Sequence, residues 1–227
     1  MGLKQRIRLL VQGFNRKRKL KYILSLINEN DSIIDIGVEA IKSIPQRFST
    51  NYIEEYFLRE KRNITCLGLQ NDDFAFFRER YTNCELLLFD GKTFPAVKNG
   101  RYNIALSNAV IEHVGNYEAQ KKWLEEISLI SSKLVITTPN RYFPVETHTN
   151  ILFLHWFPEK YRNKLFKIFC VSQKKVNCIN ELNLLSKNEF IKLLYLSGFS
   201  IIEIKINRIL LFAMDFVIYA ESKSNPY

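Results

Sequence analysis

A regular alternation of short apolar runs with stretches of helical spacing constrains the fold of this chain most strongly. Helical patterns over residues 51–61, 72–80 and 117–130 are interleaved with apolar runs that we interpret as strands. Five such runs occur, at residues 32–37, 64–69, 85–89, 102–107 and 134–138. Strands that alternate with helices are typical of a parallel sheet built from crossover units, so we expect an α/β fold.

The end of the chain predicts how this sheet is completed. A helical pattern over residues 186–196 is followed by two apolar runs, 201–206 and 215–220, with no helix between them. Two adjacent strands without a crossover predict an antiparallel hairpin. We therefore predict a doubly wound, mostly parallel seven-stranded sheet with an antiparallel C-terminal hairpin.

The positive charge of the chain is concentrated at its N-terminus. The net charge is +10, and residues 1–28 contribute eight Lys or Arg and no acid. Four apolar residues of this segment share helical spacing: Ile7, Leu10, Val11 and Phe14. We predict a basic helical segment over 1–30 ahead of a domain over 31–227. Two roles stay open for it, weak contact with an anionic membrane surface and a solvated helix whose apolar residues pack on the core.

Composition and cysteine usage narrow the class of protein. A hydrophobic content of 47% supplies a core and excludes global disorder. The cysteines, at positions 66, 84, 170 and 178, form no Cys-x-x-Cys pair, so we expect reduced cysteines and neither a zinc site nor a disulfide framework. The longest apolar stretch, 209–220, contains Asp215 and is shorter than a membrane span of about 20 residues. We also expect no signal peptide and a cytoplasmic location.

Polar, small or turn-forming residues follow each of the five predicted strands. Ligands of open α/β sheets bind outside the carboxyl ends of the strands, near the point where strand order reverses. A polar residue after one strand is ordinary turn chemistry, but the same pattern after five successive strands favours a nucleoside-type cofactor. These segments are 35–37, 69–71, 89–91, 107–108 and 138–140.

Two groups of motifs resemble class I S-adenosylmethionine-dependent methyltransferases. The first runs from Asp90-Gly91 through 101–108 to Ile111-Glu112-His113-Val114, and the second comprises 136–144, 154–158 and 183–186. The resemblance covers residues 32–199. It implies a Rossmann-like fold, S-adenosylmethionine as cofactor and methyl transfer to a small-molecule acceptor, such as a sugar or another metabolite hydroxyl. The cofactor-binding residues that it implies are Asp35, Gly37, Gln70, Asp90, Gly91 and Ser107.

The resemblance assigns roles to individual residues, and the chain departs from the family pattern at two of them. The Asp90 carboxylate would accept a hydrogen bond from the adenine amino group, with the Gly91 amide beside the ring. The family's first loop reads Asp-x-Gly-x-Gly-x-Gly, whereas this chain keeps Gly37 and has Glu39 in place of the second glycine. Gln70 stands where the family has an acid for the ribose hydroxyls, so a neutral hydrogen bond replaces a charge-assisted one.

An aromatic insertion interrupts the alternation after the fifth strand. Residues 141–182 contain six aromatic side chains between Tyr142 and Tyr161, and two histidines. We expect this insertion to close the acceptor pocket. His148, which lies between two threonines, is our first candidate for a general base, and His155, which lies among apolar residues, is the second.

Three other functional classes compete with methyl transfer. A non-catalytic scaffold that keeps the fold is favoured by the eroded glycine motif. A nicotinamide-dependent dehydrogenase requires Gly-x-Gly-x-x-Gly after the first strand, which Gly37-Val38-Glu39 contradicts. A nucleic-acid methyltransferase is supported by the basic N-terminus alone. It lacks a recognisable binding motif and has Thr138-Pro139-Asn140-Arg141 instead of Asn-Pro-Pro-Tyr.

Overall fold

A computed structural model describes residues 3–40, 51–90, 94, 102–145, 152–168 and 181–223. The helices of these residues are α1 (Leu3–Leu24), α2 (Tyr52–Arg59), α3 (Ala75–Arg80), α4 (Tyr117–Ile130), α5 (Glu159–Ile168) and α6 (Lys187–Leu196). The strands are β1 (Ile33–Ile36), β2 (Ile64–Leu69), β3 (Cys84–Phe89), β4 (Tyr102–Asn108), β5 (Ser131–Pro139), β6 (Phe199–Ile209) and β7 (Phe212–Ser222). Short 3₁₀ turns occupy Ile111–His113 and Leu154–Trp156.

The seven strands form one sheet in the order β3-β2-β1-β4-β5-β7-β6. β1 is parallel to both β2 and β4, β2 is parallel to β3, and β6 and β7 are antiparallel. The strand order reverses between β1 and β4, which is where ligands of doubly wound sheets bind. The predicted fold, including the C-terminal hairpin, is confirmed.

The chain divides into two compact units. The first comprises Met1–Ser107, Leu129–Val135 and Ser224–Tyr227, and the second comprises Asn108–Ser128 and Ile136–Lys223. Phe57, Phe77 and Tyr81 are fully buried in the first unit, where the rings of Phe77 and Tyr81 lie 4.7 Å apart. The domain boundary expected near residue 30 stays a prediction.

The second unit has its own apolar core, which includes part of the aromatic insertion. Phe190, Leu193 and Phe199 are fully buried. Leu154 and Phe166 form a further buried contact, with Leu165 and Leu182 packed against it. The insertion therefore anchors helix α5, which the sequence patterns did not predict, by apolar side chains on one of its faces.

Two contacts of the first unit do not follow from local sequence patterns. Asn51 precedes α2 without capping it by its side chain, and its side-chain amide donates to the carbonyl of Glu39 over 2.9 Å. Cys66 and Cys84, which the sequence gives as separate thiols, have their sulfur atoms in contact. The two residues lie on the neighbouring parallel strands β2 and β3, and their Cα atoms are 6.1 Å apart.

Candidate functional site

The carboxyl ends of β1, β2, β3 and β4 lie side by side in the first unit. The strand register pairs Ile36 with both Leu67 and Ser107, and Leu69 with Phe89. Residues that follow these strands therefore share one edge of the sheet. Gly37, Gln70 and Asp90 occupy that edge, so the structure brings together the residues that the sequence places after successive strands.

Asp35 and Gly37 differ in their surroundings although they are only two residues apart. Asp35 lies inside β1, paired with Cys66 on one side and Leu106 on the other, and is only 5% exposed. Burial raises the pKa of the Asp35 carboxyl from 3.8 to about 7. Gly37 is exposed and adopts a φ of 87°, a conformation that favours glycine. Its N–H donates to the carbonyl of Leu67 over 2.8 Å.

A second buried carboxyl group lies close to Asp35. Glu54 of α2 is 3% exposed, and its pKa is raised first by burial and then by the negative charge of Asp35. Two buried acids of like charge disfavour each other's ionisation. Asp35 is thus a buried group inside the sheet, and its role in cofactor binding stays a prediction.

The side chains at the carboxyl ends of β2, β3 and β4 offer different kinds of hydrogen bond. Gln70 and Asp90 are exposed, and the Gln70 backbone N–H donates to the carbonyl of Phe89 over 2.9 Å. Ser107 is 1% exposed, and its Oγ has no hydrogen-bond partner among the described residues. A buried hydroxyl without a partner in the protein suits a site that a ligand completes. Gly91 lies outside the described residues.

The loop after β1 differs from the family pattern at Glu39 and still lies against β2. Glu39, in the place of the family's second glycine, has an exposed side chain, while its carbonyl accepts the hydrogen bond from Asn51. The N–H groups of both Gly37 and Val38 donate to the Leu67 carbonyl, over 2.8 and 3.1 Å. The loop therefore keeps a close approach to β2 and presents a carboxylate where the family has a glycine.

A buried polar cluster follows β4 and β5 in the second unit. Glu112 is 2% exposed, and its carboxylate accepts a hydrogen bond of 3.1 Å from the hydroxyl of Thr138. The Thr137 hydroxyl donates to the side-chain carbonyl of Asn108 over 2.9 Å. The Glu112 carbonyl accepts from the N–H of Asn183 over 2.8 Å. The sequence gives Glu112 only as part of the motif at residues 111–114, because sequence patterns do not show that its carboxyl group is buried.

Arg141 organises the start of the aromatic insertion. Its guanidinium donates to the Leu184 carbonyl and to the Glu189 carboxylate, each over 2.8 Å. Its carbonyl accepts from Trp156 Nε1 over 3.0 Å and lies 2.9 Å from His155 Nε2. Because a carbonyl oxygen can only accept, His155 Nε2 carries a proton, which leaves Nδ1 as the basic nitrogen of the neutral ring. The sequence motifs do not predict these hydrogen bonds of Arg141.

Of the two predicted histidines, His155 lies among the residues that the structure describes. His155 is half-buried in the 3₁₀ turn, and its ring centroid lies 6.0 Å from that of Trp156. His148 lies outside the described residues. No group of three or more metal-binding side chains occurs among the described residues.

Comparison with known proteins identifies the fold. No family model matches the chain, and no curated protein matches its sequence. Magnesium protoporphyrin IX methyltransferase from Synechocystis, solved with bound SAH, is 12% identical, with 98% of this chain and 88% of that chain covered and a TM-score of 0.60. A glycopeptide N-methyltransferase is 10% identical, with 91% and 89% covered and a TM-score of 0.56.

A third solved structure carries a different description. A putative Zn-dependent alcohol dehydrogenase from Rhodobacter sphaeroides is 8% identical, with 91% and 90% of the chains covered and a TM-score of 0.64. At these identities the comparisons establish the fold alone, because one fold hosts many activities. The chain has the Rossmann-like fold of class I methyltransferases, as predicted.

Proposed function

We propose that this chain is an S-adenosylmethionine-dependent methyltransferase with a small-molecule acceptor, such as the hydroxyl of a sugar or another metabolite. The observation that carries this proposal is the alignment of Gly37, Gln70, Asp90 and Ser107 at the carboxyl ends of four adjacent strands, at the edge where doubly wound sheets bind ligands. Solved structures with this fold include methyltransferases with bound SAH and SAM.

The residues at this edge fit the chemistry of the cofactor. The exposed Asp90 carboxylate can accept a hydrogen bond from the adenine amino group, and the Gln70 amide can bond a ribose hydroxyl. The buried Ser107 hydroxyl offers a further hydrogen bond, and the exposed Gly37 lets a ligand approach the backbone closely. The exposed Glu39 carboxylate can pair with the ammonium group of the methionine portion. Asp35 and Gly91 complete the proposed set.

The protein's own task in the reaction is to orient the acceptor and accept its proton. When bound, S-adenosylmethionine supplies an activated methyl group on its sulfonium. A neutral histidine can accept the proton of a hydroxyl nucleophile. His148 stays our first candidate for this base, and His155, through Nδ1, stays the second. Comparing the turnover of His148→Ala and His155→Ala on an identified acceptor distinguishes them, and near-normal turnover of His148→Ala contradicts its assignment.

The proposal is tested by removing one carboxylate from the edge of the sheet. Asp90→Ala should weaken SAH binding by about 5- to 150-fold, the loss of about 1–3 kcal/mol expected for a hydrogen bond that a ligand buries. Glu85→Ala is the matched control, since Glu85 is also exposed and lies near the opposite end of β3. Isothermal titration calorimetry measures both. Equal affinities in the two folded variants would remove Asp90 from the site.

A second candidate function follows from the altered glycine loop. An exposed carboxylate at Glu39 repels the carboxylate of the cofactor's methionine portion, and it favours a non-catalytic scaffold that keeps the fold. The same calorimetric experiment separates the two functions. Absence of SAH binding by the unaltered protein would favour the scaffold.

We also propose a weak contact of α1 with an anionic membrane surface on the cytoplasmic side. Phe14 of α1 is 64% exposed, with the Arg18 guanidinium 5.7 Å from its ring centroid, whereas Tyr22 and Ile23 are buried. The exposed face thus combines an aromatic ring with basic side chains, a pattern that suits anionic lipid headgroups. None of the helices in the described residues is long and apolar enough to cross a membrane. Phe14→Ser should reduce sedimentation with anionic vesicles, and unchanged sedimentation would contradict the contact.

A further inference from the structure

The turn between β6 and β7 exposes two leucines almost completely. Ile209 pairs with Phe212, so Leu210 and Leu211 form a two-residue hairpin turn. Their exposed fractions are 89% and 90%, the largest among the large apolar side chains of the described residues. Phe212, beside them, is 48% exposed. We call these three residues the hairpin tip.

Neither turn chemistry nor core packing explains the leucines of the tip. Leu210 has a φ of 53°, and two-residue hairpin turns that need a positive φ favour Gly, Asn or Asp there. A leucine in this conformation is strained by contact of its Cβ with the backbone. Its side chain also gains no burial in return. A residue that opposes both local rules marks a site selected for another purpose.

The charges around the tip indicate what covers it. Residues 204–214 contain Lys205 and Arg208, both exposed, and no acid. The next acid along the chain, Asp215, is 5% exposed and accepts a hydrogen bond of 2.6 Å from the Asn207 amide. On β6, the nearest exposed acid is Glu203, roughly 23 Å from Leu210 at about 3.3 Å per residue. The tip is therefore apolar, with basic side chains behind it.

We propose that the hairpin tip inserts into the interface of an anionic membrane. Leucine and phenylalanine side chains enter the boundary between headgroups and acyl chains, while Lys205 and Arg208 lie at the level of anionic headgroups. A few inserted side chains give weak, reversible binding, which the positive charges of Lys205 and Arg208 strengthen by attraction to the surface. The contact is separate from α1 and requires no cofactor binding, so it stands or falls independently of the proposed methyl transfer.

The test uses a variant that suits the turn better than the natural sequence does. Leu210→Gly combined with Leu211→Ser puts glycine at the positive φ and removes both exposed leucines, so its melting temperature should be equal or higher. Leu129→Gln is the matched control, because Leu129 is a 66% exposed leucine of α4 and not part of the hairpin. All proteins are full-length, and their sedimentation is measured with vesicles of phosphatidylcholine alone and of phosphatidylcholine with 30% phosphatidylglycerol.

The unaltered protein and Leu129→Gln should bind the phosphatidylglycerol vesicles equally, and the double variant should bind at least about tenfold more weakly. Binding should weaken for all proteins on vesicles of phosphatidylcholine alone and at high salt. Equal binding of the double variant, or no binding by the unaltered protein, would overturn the proposal. A dimer of the unaltered protein in size-exclusion chromatography that the double variant loses would instead assign the tip to a second copy of this chain.

Discussion

Two buried carboxyl groups, those of Asp35 and Glu54, should make the stability of the fold depend on pH. Asp35 lies in the centre of the sheet of the first unit, and burial raises its pKa to about 7. The folded protein therefore holds this proton to a higher pH than the unfolded chain does. As the pH rises above 3.8, the unfolded chain releases the proton first, so stability falls until about pH 7 and stays lower above it.

Replacing Asp35 by Asn should remove the part of this pH dependence that Asp35 contributes. The melting temperature of the unaltered protein should fall between pH 5 and pH 8, and that of Asp35→Asn should fall less, since the contribution of Asp35 corresponds to roughly 2–4 kcal/mol. Glu54, whose pKa is also raised by burial, keeps its own contribution in the variant. The variant should also lower the pKa of Glu54, because the charge of Asp35 raises it. Asp72→Asn, at an exposed position, is the control for thermal unfolding by circular dichroism. Identical pH profiles for the unaltered protein and Asp35→Asn would refute this account of Asp35.

At the scale of elements, hydrogen bonds from Gln120 of α4 link the 3₁₀ turn after β4 to the segment before α6. Its side-chain amide donates to the carbonyls of Ile111 and Asn183, over 3.0 and 2.9 Å, and the residue is fully buried. Asn183 in turn donates to the carbonyl of Glu112. The position of the buried Glu112–Thr138 pair therefore depends on one amide on α4.

Gln120→Leu should destabilise the second unit by about 1–3 kcal/mol, because it removes the side-chain hydrogen bonds to two carbonyl groups. Lys122→Leu places the same side chain on the exposed face of the same helix, where the Lys122 side chain is 71% exposed. That control should change the free energy of unfolding by no more than about 0.5 kcal/mol. Denaturant titration measures both variants. A loss for Gln120→Leu no larger than that of the control would show that the amide does not hold these segments.

The elements differ in how well the sequence predicts them, and the differences have physical causes. Helix α4 and strand β2 begin and end where predicted, because apolar periodicity marks both ends of each. Strands β6 and β7 extend to 11 residues each, since ladder hydrogen bonds continue through the polar residues at their ends. The sequence hardly indicates helix α5, because the apolar residues that pack on the core, Leu165 and Phe166, lie between lysines.

At the scale of the whole molecule, the alternation of strands and helices is enough to predict the sheet and the edge at which its parallel strands end. Contacts between residues that are distant in the sequence depend on how the strands and segments are arranged, and local sequence patterns do not predict them. Cys66 and Cys84 are 18 residues apart and meet only because β2 and β3 are neighbours. The contacts of Arg141 likewise depend on the fold of the insertion, which places the side chains of His155 and Trp156 against its carbonyl.

The central claim is that the edge formed by β1 to β4 binds S-adenosylmethionine rather than another nucleotide. The fold alone does not decide this, since a structure described as a putative alcohol dehydrogenase shares it. The direct test is calorimetric titration of the full-length protein with SAH and, separately, with NAD. Our account predicts saturable binding of one SAH per chain and no binding of NAD. Binding of NAD without binding of SAH would contradict it.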